Sequence, residues 1–135
     1  MKPTVRVVAA VIYDERRRVL VTQRPAGKTL AGQWEFPGGK VEPGESDEAA
    51  LHRELREELG VQVRSAQALL ELTHEYPDRL VQLAVWQVDG FSGVPAGLEG
   101  QPLRWESPAA LRALPLLAAD LPIVDRLESL ATPET

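Results

Sequence analysis

Glu54, Glu57 and Glu58 stand at i, i+3 and i+4 in a stretch that reads as a helix, so their side chains share one face. Carboxylates this close repel one another, which costs stability unless a cation sits among them. Hard oxygen donors suit magnesium or manganese, and magnesium commonly takes its remaining ligands from water and substrate phosphates. The bland alternative is a solvated acidic face, with Arg53 and Arg56 as local partners. That alternative leaves the glycines upstream, Gly38 and Gly39, without a purpose; glycine lets a backbone come close to a metal and a phosphate.

The helix that must display these carboxylates is predicted over 46–59. Ser46 is a fitting N-cap, and Asp47 and Glu48 suit the positive end of the helix dipole. Ala50, Leu51, Leu55 and Leu59 supply a buried stripe. Gly60 fits the left-handed position after the helix, with Val61 following as its hydrophobic partner. Around the helix, Val5 to Tyr13 reads as a buried strand and Arg18 to Gln23 as its hairpin return, across a polar turn. Pro25 to Gln33 reads as loop, Trp34 to Phe36 as a short strand, and Pro37-Gly38-Gly39 as a break. Val61 to His74 and Leu80 to Val88 read as strands about a Pro77-Asp78-Arg79 turn. Asp89 to Gln101 reads as a glycine-rich loop and Leu103 to Glu106 as a last short strand. Ser107-Pro108 opens a short helix, and a second helix is expected from near Asp120 to about Ala131. With no repeat, low-complexity tract or linker, residues 1–135 are expected to form one domain.

Composition bounds the chemistry. The chain has 135 residues, 15 basic against 20 acidic, for a formal net charge of −5. That balance provides no global attraction to nucleic acid or an anionic membrane, and neither is an expected partner. The absence of cysteine excludes a disulfide framework, a thiolate nucleophile and a cysteine zinc site. The longest apolar stretch, Val7 to Tyr13, is too short to span a bilayer, and no signal peptide is apparent, so a cytoplasmic protein is expected. Most of the acidity is local: residues 39–61 hold seven acids and three bases, a net of −4.

Gly39, five residues, Glu45, seven residues, then Arg53-Glu54-Leu55-Arg56-Glu57-Glu58-Leu59-Gly60-Val61 matches every fixed position of the Nudix box, G-x5-E-x7-R-E-U-x-E-E-x-G-U, where U is a bulky aliphatic. The chain therefore resembles the Nudix hydrolases, and within them the MutT branch. Trp34 to Lys40, Tyr76 to Arg79, and Glu99-Gly100-Gln101 followed by Trp105 resemble further family segments in the right order. The resemblance implies an α/β fold: an α/β/α sandwich with a mixed central sheet. It implies that Glu57 and Glu58, with the Gly38 carbonyl and Glu99, and Glu54 beside them, hold a divalent metal, magnesium or alternatively manganese. Glu54 leads as the group that deprotonates water, with Glu99 competing; Arg53 holds the acids in place, and Glu45 is a structural or outer metal contact. Arg24, Glu35, Phe36, Lys40, Tyr76, Arg79 and Asp120 are implied to line the nucleotide.

The implied reaction is hydrolysis of a nucleoside triphosphate, foremost 8-oxo-dGTP, to a nucleoside monophosphate and pyrophosphate, cleansing the nucleotide pool. CTP or a modified pyrimidine triphosphate is the alternative substrate, and a non-catalytic regulator the alternative class. The phosphorus attacked, α or β, and the choice of monomer or homodimer stay open. Asp120 falls where MutT proper carries a base-reading Asn; an ionised Asp only accepts hydrogen bonds, whereas a protonated one also donates. Asp120 could equally cap the last helix, and both roles can hold together. His52 and His74 are expected at the surface or in structural roles, Trp86 in the core, Trp34 in a structural role, and Arg16 to Arg18 at a solvated hairpin tip.

Overall fold

The computed structural model describes residues 2–131. Strand β1 (Thr4–Ile12) is buried on both faces along its second half, as its unbroken valine and alanine run requires. It pairs in parallel with β6 (Arg79–Ser92), which pairs antiparallel with β5 (Gln62–Tyr76). On its other edge β1 takes β4 (Gly38–Lys40), completing a mixed four-stranded sheet in the order β4-β1-β6-β5. A smaller antiparallel sheet runs β3 (Trp34–Glu35), β2 (Val19–Gln23), β7 (Leu103–Glu106).

Two apolar clusters hold the layers together. Helix α1 (Asp47–Leu59) lays Ala50, Leu51, Leu55 and Leu59, all fully buried, against Val8, Ala10, Ile12, Ala84 and Val88 of the mixed sheet. Each such leucine contributes roughly 1.5–3 kcal/mol of burial free energy. Helix α2 (Leu121–Ala131) packs Ile123, Val124 and Leu127 with Ala9, Val11, Leu83 and Val85 on the sheet's other side. Strand β2 serves both clusters, Leu20 facing one and Val19 and Val21 the other. The architecture is the expected α/β sandwich of helices about a mixed sheet.

The caps of α1 form as the sequence indicates. The Ser46 hydroxyl accepts the Ala49 N–H at 3.1 Å. Gly60 is left-handed at φ 71°, and its N–H reaches the Arg56 carbonyl. A clamp outside the helix adds to this: Arg6 on β1 grips both oxygens of Asp47, at 2.8 and 2.6 Å, and donates to Glu71 on β5 at 2.8 Å.

Several sequence expectations need correction. β2 is not the hairpin partner of β1; a single bridge, Tyr13 to Val19, joins them before the strands diverge. Both edges of β1 are already occupied, and β2 instead pairs with β3 and β7. Gly38-Gly39 is not a break but part of β4. A Cβ at Gly38 would lie 2.0 Å from the Val8 carbonyl oxygen, so only glycine permits this pairing to β1. The expected loop over 89–101 begins later, because β6 continues through Ser92, with register shifts absorbing the extra length. The hairpin turn is Pro77-Asp78 alone, since β5 runs to Tyr76 and β6 starts at Arg79. The helix opened by Ser107-Pro108 is a 3-10 helix, Pro108–Ala113, and a 3-10 turn, Ala118–Asp120, precedes α2.

Gly38→Ala should lower folding stability by roughly 1–3 kcal/mol, because its Cβ meets rigid backbone. Gly39→Ala should cost less, since the atoms nearest its Cβ would be the end of the Glu54 side chain. Urea unfolding of both variants checks the order; a Gly38→Ala midpoint equal to wild type would contradict the close packing of β4 on β1.

Candidate active site

The C-terminal half of α1 lies over β4, and this contact places the carboxylates. Glu58 accepts the Gly38 N–H at 3.3 Å. Glu54 stands directly above Gly39, so near that a Cβ there would fall 2.3 Å from the Glu54 carboxyl carbon. Both paired glycines therefore have a steric role: one lets β4 meet β1, the other lets Glu54 meet β4.

Crowding shows in the acidities. Burial pushes the Glu58 carboxyl up to about 8, opposed by the Gly38 N–H and reinforced by the charges of Glu35, Glu99 and Glu54. Burial likewise raises Glu54; its Arg53 partner opposes the shift, and Glu57 and Glu99 add to it. Each of these groups would ionise more readily beside a cation.

Arg53 is the cation within the cluster. Its guanidinium donates to Glu45 at 2.7 and 2.9 Å, to Glu54 at 2.9 Å, to Glu57 at 3.3 Å and to the Lys40 carbonyl at 3.0 Å. The double contact holds the Glu45 carboxyl down at about 2. Arg53 thereby ties the helix to the loop that leads into it. Glu57 keeps more than half of its side chain exposed and lies outside the cleft lining.

Gly38, Glu54, Glu58 and Glu99 line one cleft of about 340 Å³, together with Thr22, Arg24, Lys28, Glu35 and Gln101. A second cleft, of about 360 Å³, is lined by Arg24, Glu35, Phe36, Lys40, Tyr76, Arg79 and Asp120. Arg24, Lys28, Glu35 and Gly38 belong to both, so the two clefts adjoin. All seven residues expected at a nucleotide fall in the second.

Within it, Arg79 lies over the Tyr76 ring, 4.5 Å from its centre, and outside the lining His74 meets the same ring edge-on at 4.6 Å. Asp120 is 5% exposed and accepts the Phe36 N–H at 3.0 Å. Asp120 immediately precedes α2, but among the described residues its carboxylate accepts the Phe36 N–H and no N–H of that helix. Burial raises this carboxyl to about 7, with Glu35 adding to the shift and the Phe36 N–H and Arg24 opposing it. Glu35 is also raised by burial, while its 2.9 Å bond from Arg24 pulls the other way.

Gln101 was not foreseen as a site residue. Its buried amide donates to the Glu58 carbonyl at 3.0 Å and accepts the Glu99 N–H at 2.9 Å. The Leu98 N–H reaches the same Glu58 carbonyl at 3.1 Å. The loop carrying Glu99 is thus bonded to the free carbonyls at the end of α1. An amide is suited to this because it both donates and accepts, but only the fold shows which groups it joins. Lys28 and Thr22 were likewise not foreseen.

Among the described residues, no three acidic or histidine side chains converge tightly enough to enclose a cation alone. The donors are hard oxygens along one wall, mutually repelling and partly buried. That set fits a divalent ion that draws further oxygens from water and a phosphate chain.

A model of the NUDIX domain matches residues 8–126. The chain belongs to the Nudix family. Over 126 residues it is 41% identical to the CTP pyrophosphohydrolase of Escherichia coli K12, covering 93% of each chain. Over 124 residues it is 37% identical to the 8-oxo-dGTP diphosphatase of the same strain, covering 92% of this chain and 96% of that relative. The solution structure of the E. coli ORF135 protein superposes with a TM-score of 0.85 at 40% identity, covering 99% of this chain and 96% of that one. The Nudix box thus corresponds to α1 and its glycine lead-in, and the carboxylate cleft is built from it.

Asp120 carries a pH prediction. Its folded pKa, about 7, lies above the ordinary aspartate value of 3.8, so the native state holds this proton more tightly than the unfolded chain. Its contribution to stability is complete at low pH and is lost as pH rises from about 4 to above 7. Asp120→Asn keeps an acceptor for Phe36 and removes this loss. Urea unfolding should show the variant gaining on wild type between pH 5 and pH 8; an unchanged difference would contradict the burial of the charge.

Proposed function

We propose that the protein hydrolyses nucleoside triphosphates to a nucleoside monophosphate and pyrophosphate, with divalent-metal dependence, and that 8-oxo-dGTP is its foremost substrate. The adjoining clefts carry this reading: one offers carboxylates for a metal and its phosphates, the other aromatic and hydrogen-bonding groups for a base. The relatives named for 8-oxo-dGTP and CTP support the reaction class.

Glu57, Glu58, Glu99, Glu54 and the Gly38 carbonyl would hold the metal, magnesium or alternatively manganese. Bound there, the ion supplies charge neutralisation for the polyphosphate and polarisation of its P–O bonds. Glu54 takes the proton of the attacking water, its basicity raised by burial. Glu99, bordering the same cleft from the loop held by Gln101, is the second candidate for that proton. The water oxygen bonds to the α or β phosphorus, the α–β bridge breaks, and either attack leaves the same products. Arg53 acts as a positioning residue, and Arg24, Tyr76 and Arg79 bind the nucleotide.

A second reading, CTP as substrate, draws on Asp120. Ionised, its carboxylate accepts from the N1–H and N2–H of a guanine edge; protonated, it offers one donor and one acceptor, which match N3 and N4–H of cytosine. A carboxyl near neutrality holds both options. We further propose a single domain over residues 1–135, acting in the cytoplasm as a monomer or homodimer, without direct nucleic-acid binding. Among the described residues, no helix is long and apolar enough to cross a membrane.

A panel of 8-oxo-dGTP, dGTP, CTP and dCTP with magnesium, scored for pyrophosphate against phosphate release, tests the activity. Low-KM hydrolysis of 8-oxo-dGTP over dGTP is expected, and preference for CTP would displace the first reading. Glu54→Gln should lower kcat by about 10²–10⁴-fold with a much smaller change in KM. Near-normal Glu54→Gln beside a crippled Glu99→Gln would transfer the role of base.

A further inference from the structure

Two cations border both clefts, Arg24 and Lys28, and they differ in what they already hold. Arg24 is committed: its guanidinium donates to Glu35 at 2.9 Å and to the Thr29 carbonyl at 2.7 Å. The Lys28 ammonium has no ion pair or hydrogen bond among the described residues, and the residue is exposed.

Lys28 is nevertheless held in place. Its N–H bonds to the Pro25 carbonyl at 3.3 Å across a turn with Gly27 third, at φ 88°. Positive φ at that position is what a type II turn requires, and Pro25 begins it. Further along, the Gly32 N–H bonds to the Arg24 carbonyl at 2.9 Å, and the Arg24 N–H to the Gln33 carbonyl at 2.9 Å. Gln23 closes the segment from the side, donating to the Gly32 carbonyl at 3.0 Å. The loop is a closed ring with Lys28 at the seam of the clefts.

A nucleotide with its base near Asp120 and Tyr76, and its outer phosphates beside Glu54 and Glu58, must cross that seam at the phosphate next to the sugar. We propose that Lys28 binds the 5′-proximal phosphate, the one that stays with the nucleoside after hydrolysis. The assignment rests on the triphosphatase reading above. Lys28 then holds substrate and the monophosphate product, but not pyrophosphate.

Inhibition of the full-length enzyme by each product tests this. In Lys28→Met the inhibition constant of the nucleoside monophosphate should rise about tenfold, the scale of one lost charge-assisted hydrogen bond. Inhibition by pyrophosphate should stay as in wild type, and Lys28→Arg should restore most of the monophosphate affinity. KM for the triphosphate should rise with the loss. Equal monophosphate inhibition in Lys28→Met and wild type would overturn the proposal, as would a loss confined to pyrophosphate. If wild type hydrolyses none of the triphosphates, the underlying activity fails instead, and the two failures are told apart.

Discussion

Like charges forced together are the constraint on which this protein turns. Glu54 and Glu58 are partly withdrawn from water, both feel the charge of Glu99, Glu57 acts on the first and Glu54 on the second, and both are harder to ionise than ordinary carboxyls. No packing benefit explains such an arrangement, because apolar residues in their place would stabilise the same contact better. The surroundings hold the carboxylates there all the same. Four fully buried side chains fasten α1 to the sheet, Arg6 grips its first turn, and Arg53 binds four side chains or carbonyls at its middle.

Only part of this could be read from the chain. The helix, its caps and its buried stripe were legible because each depends on residues within one turn of one another. So were the box and eleven of the twenty-five residues that line the two clefts. Pairing was not: β2 leaves β1 because distant strands occupy both edges of β1, and no local signal in residues 13–19 reports that. Gly38-Gly39 looked like a break because glycine commonly interrupts strands, whereas here the missing side chains are what let a strand lie down. The role of Gln101 is hidden from the sequence for a related reason. Its amide joins Glu99 to the end of α1, a contact spanning 43 residues. The partner of Asp120 was equally hidden: its carboxylate accepts the N–H of Phe36, 84 residues away.

On the proposed function, the division into adjoining clefts separates two tasks. One wall carries the charge needed for phosphate chemistry, anchored in the Nudix box. The other carries Asp120, Phe36, Tyr76 and Arg79, drawn from three separate stretches of chain, where on the proposed reading a change of residue would alter base preference and leave the chemistry in place. The likeness to relatives named for different bases accords with such a division.

If the repelling carboxylates exist to hold a cation, then a cation must stabilise the fold through them. Thermal unfolding of wild type and Glu58→Gln, each with and without manganese at neutral pH, tests this most directly. The account predicts a clear rise in Tm for wild type and little or none for Glu58→Gln, whose metal-free form should be at least as stable as metal-free wild type. Equal rises in both proteins, or none in either, would contradict it.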